Sequence, residues 1–86
     1  MGIRLNGNAG SNAGSRYDSN SIRAAGGIQG TGLYLNSPGS LDGVIFTNNS
    51  FVNLAKASDG AGGQNPASTS GNSTIQCLLK GVVNLF

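Results

Sequence analysis

Five Lys or Arg and three Asp are the only charged side chains in this 86-residue chain, and it has no His and no Glu. The commonest general acids and bases are therefore missing. The carboxylates are Asp18, Asp42 and Asp59. Cleaving a glycosidic bond takes a pair of carboxylates at a defined separation. Asp42 and Asp59 each precede Gly, which is turn chemistry, and Asp18 sits in a polar run as a solvated loop residue. Cys77 has no His to activate it as a nucleophile. Alternation with Ile75 and Leu79 puts its thiol on an apolar face, as a buried structural group. No serine lies in a GxSxG elbow. The run GGIQGTG (26–32) lacks the Lys of a phosphate-binding loop and leads into strand-like GLYL instead of a helix. It reads as a hinge or tight turn. No Cys/His cluster is present that could hold zinc. These residues point away from an enzyme and call for no metal and no cofactor.

The composition explains what replaces charge. Only 9% of residues are charged and 37% are hydrophobic, while the chain holds 15 Gly, 11 Ser and 11 Asn. Disordered chains share the low hydrophobicity but usually carry high net charge, and here it is +2. A single β-rich module spanning 1–86 has a core problem, because ordering each residue costs about 1.5 kcal/mol. One cysteine allows no internal disulfide. Partners remain: copies of the chain, a larger protein assembly, or the rest of a longer chain. A disordered segment that folds on a partner is a further alternative. Arg4, Arg16, Arg23, Lys56 and Lys80 are spread along the sequence, whereas a nucleic-acid footprint is clustered. No run approaches the roughly 18 apolar residues of a membrane-spanning helix. Met1 is followed by alternating polar and apolar residues, so no secretory leader is expected.

Period-two alternation marks the elements. Strands are expected in GIRL (2–5), GLYL (32–35), GVIFT (43–47), STIQCLL (73–79) and GVVNLF (81–86), with SIRAA (21–25) a weaker candidate. FVNLAKA (51–57) has room for one helical turn at most. The segment 58–72 reads as a long flexible loop. GIRLN (2–6) recurs as GLYLN (32–36) at an offset of thirty, and NSIRAA (20–25) as NSFVNL (49–54) at twenty-nine. A third Asn-Ser opens NSTIQCLL (72–79). Such a period fits stacked β-coils, in which one coil covers the apolar face of the next. Ile3 would then stack on Leu33, Leu5 on Leu35 and Ile22 on Phe51. Asn6 and Asn36 would meet at one corner and bond along the axis. An antiparallel sandwich or small barrel would space its strands similarly.

The stretch GLYLNSPGSLDGVIFTNNSFVNL (32–54) resembles coils of right-handed parallel β-helix proteins. In those, a GIYL-type strand leads through Asn-rich turns to an I-x-N-N-x-F-type strand, matched here by Val44-Ile45-Phe46-Thr47-Asn48-Asn49-Ser50-Phe51. That superfamily includes polysaccharide lyases, bacterial surface passengers and phage tailspikes. The opening MGIRLNGN is also similar in style to the starts of jelly-roll virion proteins. The resemblance implies an all-β fold of short stacked β-coils with Gly/Ser/Asn-rich loops. It does not by itself give a function.

The functional expectation is a structural protein, a small self-associating block of a virion or surface filament. The alternative is a carbohydrate-binding or polysaccharide-acting β-helix fragment. Val82, Val83, Leu85 and Phe86 are four apolar residues in the last five. They form either an edge that adds to a neighbouring copy or a final core strand. Arg4 and Tyr34 are outward neighbours on adjacent coils and the candidate exposed contact, through a cation–π pair or by stacking on a sugar. The repeat makes one direct prediction. Leu35→Asp should unfold the chain as thoroughly as Leu5→Asp, read by circular dichroism. A tolerated Leu35→Asp would remove the repeat.

Overall fold

The computed structural model describes residues 1–81 and 85–86. These form eight strands and no helix: β1 (Ile3–Leu5), β2 (Arg16–Asp18), β3 (Ser21–Arg23), β4 (Thr31–Leu35), β5 (Ile45–Thr47), β6 (Ser50–Val52), β7 (Lys56–Gly60) and β8 (Ser73–Ile75). They build three small parallel sheets, β1-β4-β7, β2-β5 and β3-β6-β8, none of them closed. The chain visits the sheets in a fixed order. A first pass runs β1, β2, β3, a second runs β4, β5, β6, and a third runs β7 and β8. Within the third pass Ser68 bridges Ile45 of the second sheet, and beyond it Leu79 stacks on β7 of the first sheet by bridging Lys56.

Three-residue strands bury too little to persist alone. Each is held by a partner one pass away. Ile3 pairs with Leu33 and Leu5 with Leu35, and Ile22 pairs with Phe51. These are the partners the two repeats predict. The three Asn-Ser echoes are also in register, at Ser21, Ser50 and Ser73.

Side chains alternate across each strand, so one set from every sheet meets in a common interior. The second pass dominates it: Leu33, Leu35, Leu41, Val44, Phe46 and Phe51 are fully buried. The third pass is lean there, with Ser58 opposite Leu33, Gly60 opposite Leu35 and Thr74 opposite Phe51. Leu85 and Phe86 supply the missing apolar bulk. Leu85 is buried in the core cluster and Phe86 packs against it, meeting Phe51 edge to face at a centroid distance of 5.3 Å.

The structure departs from the expected elements in four places. FVNLAKA contains no helical turn: β6 ends, Asn53 turns the chain at φ 58°, and β7 begins. The polar run 16–18 is strand β2, because Tyr17 lies opposite Phe46 and can bury its ring there. Of the stretch 58–72, residues 58–60 complete β7. Beyond them the backbone bonds along the second pass, with Asn65, Ser68 and Ser70 carbonyls accepting from Gly43, Phe46 and Asn48. Last, STIQCLL does not keep one apolar face. Thr74 takes the inward position opposite Phe51, which turns Ile75 outward; Gln76 then adopts φ 55° and breaks the alternation, so Cys77 packs on the core while Leu79 is exposed. Of the GVVNLF strand, residues 82–84 lie outside the described set.

Gly32 on β4 tests how closely the sheets approach. A Cβ there would run into the Phe51 ring and come within 2.7 Å of the Ala57 carbonyl. Gly32→Ala should therefore lower stability by about 1–3 kcal/mol, the usual cost of overpacking. Gly62→Ala, with nothing within 4 Å of the added methyl, should leave it unchanged. Urea unfolding midpoints of the two variants check this.

Candidate functional site

The pairing of β1, β4 and β7 lines up Arg4, Tyr34 and Asp59 on the outer face of the first sheet. The Arg4 guanidinium lies 5.4 Å from the centre of the Tyr34 ring, a geometry worth about 0.5–1 kcal/mol at an exposed site. Its Nε donates to Asn6 Oδ1 at 3.0 Å and its Nη2 to Asn36 Oδ1 at 3.1 Å. The repeated asparagines of GIRLN and GLYLN thus accept from a shared arginine, where the sequence suggested a bond along the axis between them. A sugar ring stacking on this face of Tyr34 would have to displace the guanidinium. At the far end of the column Lys56 Nζ lies 3.2 Å from Asp59 Oδ2. The Gly60 backbone N–H, and then Lys56, hold the Asp59 carboxyl below its ordinary range.

A second polar constellation was only half visible in sequence. Asn20, Asn49 and Asn72 each follow a corner residue with positive φ: Ser19, Asn48 and Gly71. The backbone and side-chain N–H groups of Asn20 donate to Asn49 Oδ1 at 2.9 and 3.0 Å. Those of Asn49 donate to Asn72 Oδ1 at 2.9 and 3.1 Å. Asn49 Nδ2 also reaches the Tyr17 carbonyl, and Asn72 Nδ2 the Phe46 and Leu85 carbonyls. The repeated Asn-Ser pointed to these positions. Their bonding could be seen only once the left-handed corner before each was known.

The remaining chemistry is dispersed. Asp18 on β2 accepts from Thr47 Oγ1 at 2.6 Å, Asn48 Nδ2 at 3.0 Å and Ser19 Oγ at 2.9 Å. Thr47 first, then Asn48 and Ser19, draw its carboxyl below the ordinary range. Asp42 Oδ1 accepts the Asn65 backbone N–H. The Cys77 thiol donates to the Phe51 carbonyl at 3.3 Å. Among the described residues, no three of His, Cys, Asp and Glu gather as a metal set.

Of the four C-terminal residues expected at an assembly interface, Leu85 and Phe86 face the chain's own interior. Val82 and Val83 lie outside the described residues. The apolar groups that do face solvent are elsewhere. Met1 and Ile28 on the first pass, with Ile75, Leu78 and Leu79 at and beyond the end of β8, are 47–69% exposed. Sequence reasoning missed them because it placed Ile75 and Leu79 on a buried face, and nothing in a Gln at 76 announces a left-handed turn. No helix of the described residues is long and apolar enough to cross a membrane. No family model, curated protein or solved structure matches this chain.

Two predictions follow from the polar contacts. Asn49→Ala strips several partners from buried groups, each loss costing about 1–3 kcal/mol, and should lower the urea midpoint far more than Ser21→Ala at an exposed position. The second concerns acid. Asp18 and Asp59 have lowered values in the folded chain, so the stability they contribute is complete above the unfolded-state value. It is lost as pH falls through the lowered one. Unfolding midpoints should drop below about pH 4, and Asp18→Asn should make that drop shallower.

Proposed function

We propose that this chain is a structural module: a short stack of β-coils that associates with copies of itself or within a larger assembly such as a virion or surface filament. One observation carries the reading. Every large hydrophobic exposed among the described residues lies in the first pass or in the stretch 75–79, where the chain leaves the third pass, and the middle pass has none. In a stack of repeats a coil is buried only when it has neighbours on both sides. Terminal coils of free-standing stacks are normally polar on their outer surface, and these are not.

The sheets support the same reading. β1, β2 and β3 each have one partner strand, all on the same side. Among the described residues their other edges are open, and open edges are templates for pairing with another chain. The chain lacks His and Glu, which suits a scaffold better than a catalyst.

Light scattering over a concentration series tests this on the full chain. Mass should rise with concentration toward multimers. A monomer at every concentration, with a strong β-sheet signal, would end the self-association reading.

A further inference from the structure

The first-pass end of the molecule is the less covered one. Its inward residues Ile3, Tyr17 and Ile22 are half-buried, although Leu33, Phe46 and Phe51 opposite them are fully buried. A groove of about 320 Å³ opens beside Ile22 and Leu54. At the other end the chain lays more of itself on the third pass. The Leu79 and Lys80 carbonyls accept from the Ala57 and Ser58 N–H groups, and Leu85 is buried.

β2 is a free edge at that first-pass end, with β5 its one partner strand. The Ser15 carbonyl accepts from the Ile45 N–H, the Tyr17 carbonyl from Asn49 Nδ2, and the Ser19 N–H donates to the Thr47 carbonyl. Backbone groups of successive strand residues point to opposite edges, so those of Arg16 and Asp18 point away from β5. Their side chains are exposed on either side of Tyr17. Arg16-Tyr17-Asp18 therefore complements its own reverse: laid antiparallel on itself, each charge meets the opposite one.

We propose that two copies join at their first-pass ends, with β2 pairing antiparallel to β2 of the second copy about a two-fold axis through Tyr17. The inference rests on the assembly reading above and names one of its contacts.

The geometry fits on three counts. Arg16 lies opposite Asp18 of the second copy, and both present their backbone N–H and C=O to the shared edge, as a hydrogen-bonded antiparallel pair requires. Opposite charges facing each other across such a pair stabilise it, and like charges destabilise it. Thr47, Asn48 and Ser19 already hold the Asp18 carboxylate in place, and its remaining lone pairs can accept from a guanidinium. Tyr17 meets Tyr17 of the second copy as the closer, non-hydrogen-bonded pair, which covers its half-buried ring. The same axis turns β1 of one copy toward β3 of the other, the sides that carry half-buried Ile3 and Ile22. A two-fold through Arg4 of β1 would set guanidinium against guanidinium, so β2 is the edge whose charges favour a copy of itself. A contact of this kind is isologous and closes as a dimer.

Charge exchange tests it. Arg16→Asp sets carboxylate against carboxylate at both charged positions, and Asp18→Arg sets guanidinium against guanidinium. Each variant alone should need a concentration about tenfold or more above that of the wild type to associate, with its β-sheet signal intact. Mixed one to one they again face opposite charges at both positions, and light scattering should show association restored. Asp18→Arg gives up the bonds to Thr47 and Asn48, so a cross-link covers the case in which it fails to fold. In a Cys77→Ser background, Arg16→Cys and Asp18→Cys are mixed and oxidised. Opposed residues of the pair have Cα atoms about 5.5 Å apart, within disulfide reach, and a 16–18 disulfide between chains is the expected product. If the wild type associates but Arg16→Asp associates equally well, or the mixture cross-links only like to like or not at all, the inference falls while the assembly reading stands. A wild type that stays monomeric overturns both.

Discussion

Each pass of this chain is completed by the next, and everything else depends on that pairing. A strand of three residues has few backbone groups to satisfy and little apolar surface to hide. Bonds between passes run in both directions. Asn36 and Ile45 donate back to Leu5 and Ser15, while Ser19 and Ala24 donate forward to Thr47 and Val52. Between the second and third passes, Ala61 and Ala67 donate back and Phe46 and Asn53 forward. Backbone satisfaction and burial of Leu33, Leu35, Phe46 and Phe51 are thus one event. A change that shifts one pass disturbs both.

The low charge follows from this arrangement. The corners carry the passes from sheet to sheet, and they stack as closely as the strands. Asn12 Nδ2 reaches the Asn6 and Ser40 carbonyls, and Gln64 Nε2 reaches the Ser37 carbonyl while its Oε1 accepts from Leu41. Short amide and hydroxyl side chains can both donate and accept within such tight spaces. Long charged side chains would have no room and would have to be desolvated. Abundant Gly, Asn and Ser, which look like a sign of disorder, are what close stacking of corners needs.

The strand register was legible because apolar residues recur with it: Ile3 with Leu33, Leu5 with Leu35, Ile22 with Phe51. Where the inward residue turns polar or small, the signal fades. β7 was missed because its inward positions are Ala57 alone and then Ser58 and Gly60 along the column. β2 was missed because Arg16 and Asp18 flank its single inward ring. The candidate contact Arg4–Tyr34 was legible from the thirty-residue offset, yet Asn6 and Asn36 bond to Arg4, because a guanidinium directly above them is the stronger donor. The exposed leucines of the last pass were not legible. They lie just beyond a left-handed Gln76, which no local preference announces.

The proposed assembly requires that end passes left open in a single molecule are completed by another copy. Site-resolved amide hydrogen exchange of the full chain at low and high concentration reads this directly. The account predicts that amides of Leu33, Leu35, Phe46 and Phe51 are protected at both concentrations, and that those of the first and third passes gain protection as concentration rises. Exchange that is slow and equal in all three passes at low concentration, and unchanged at high, would contradict it.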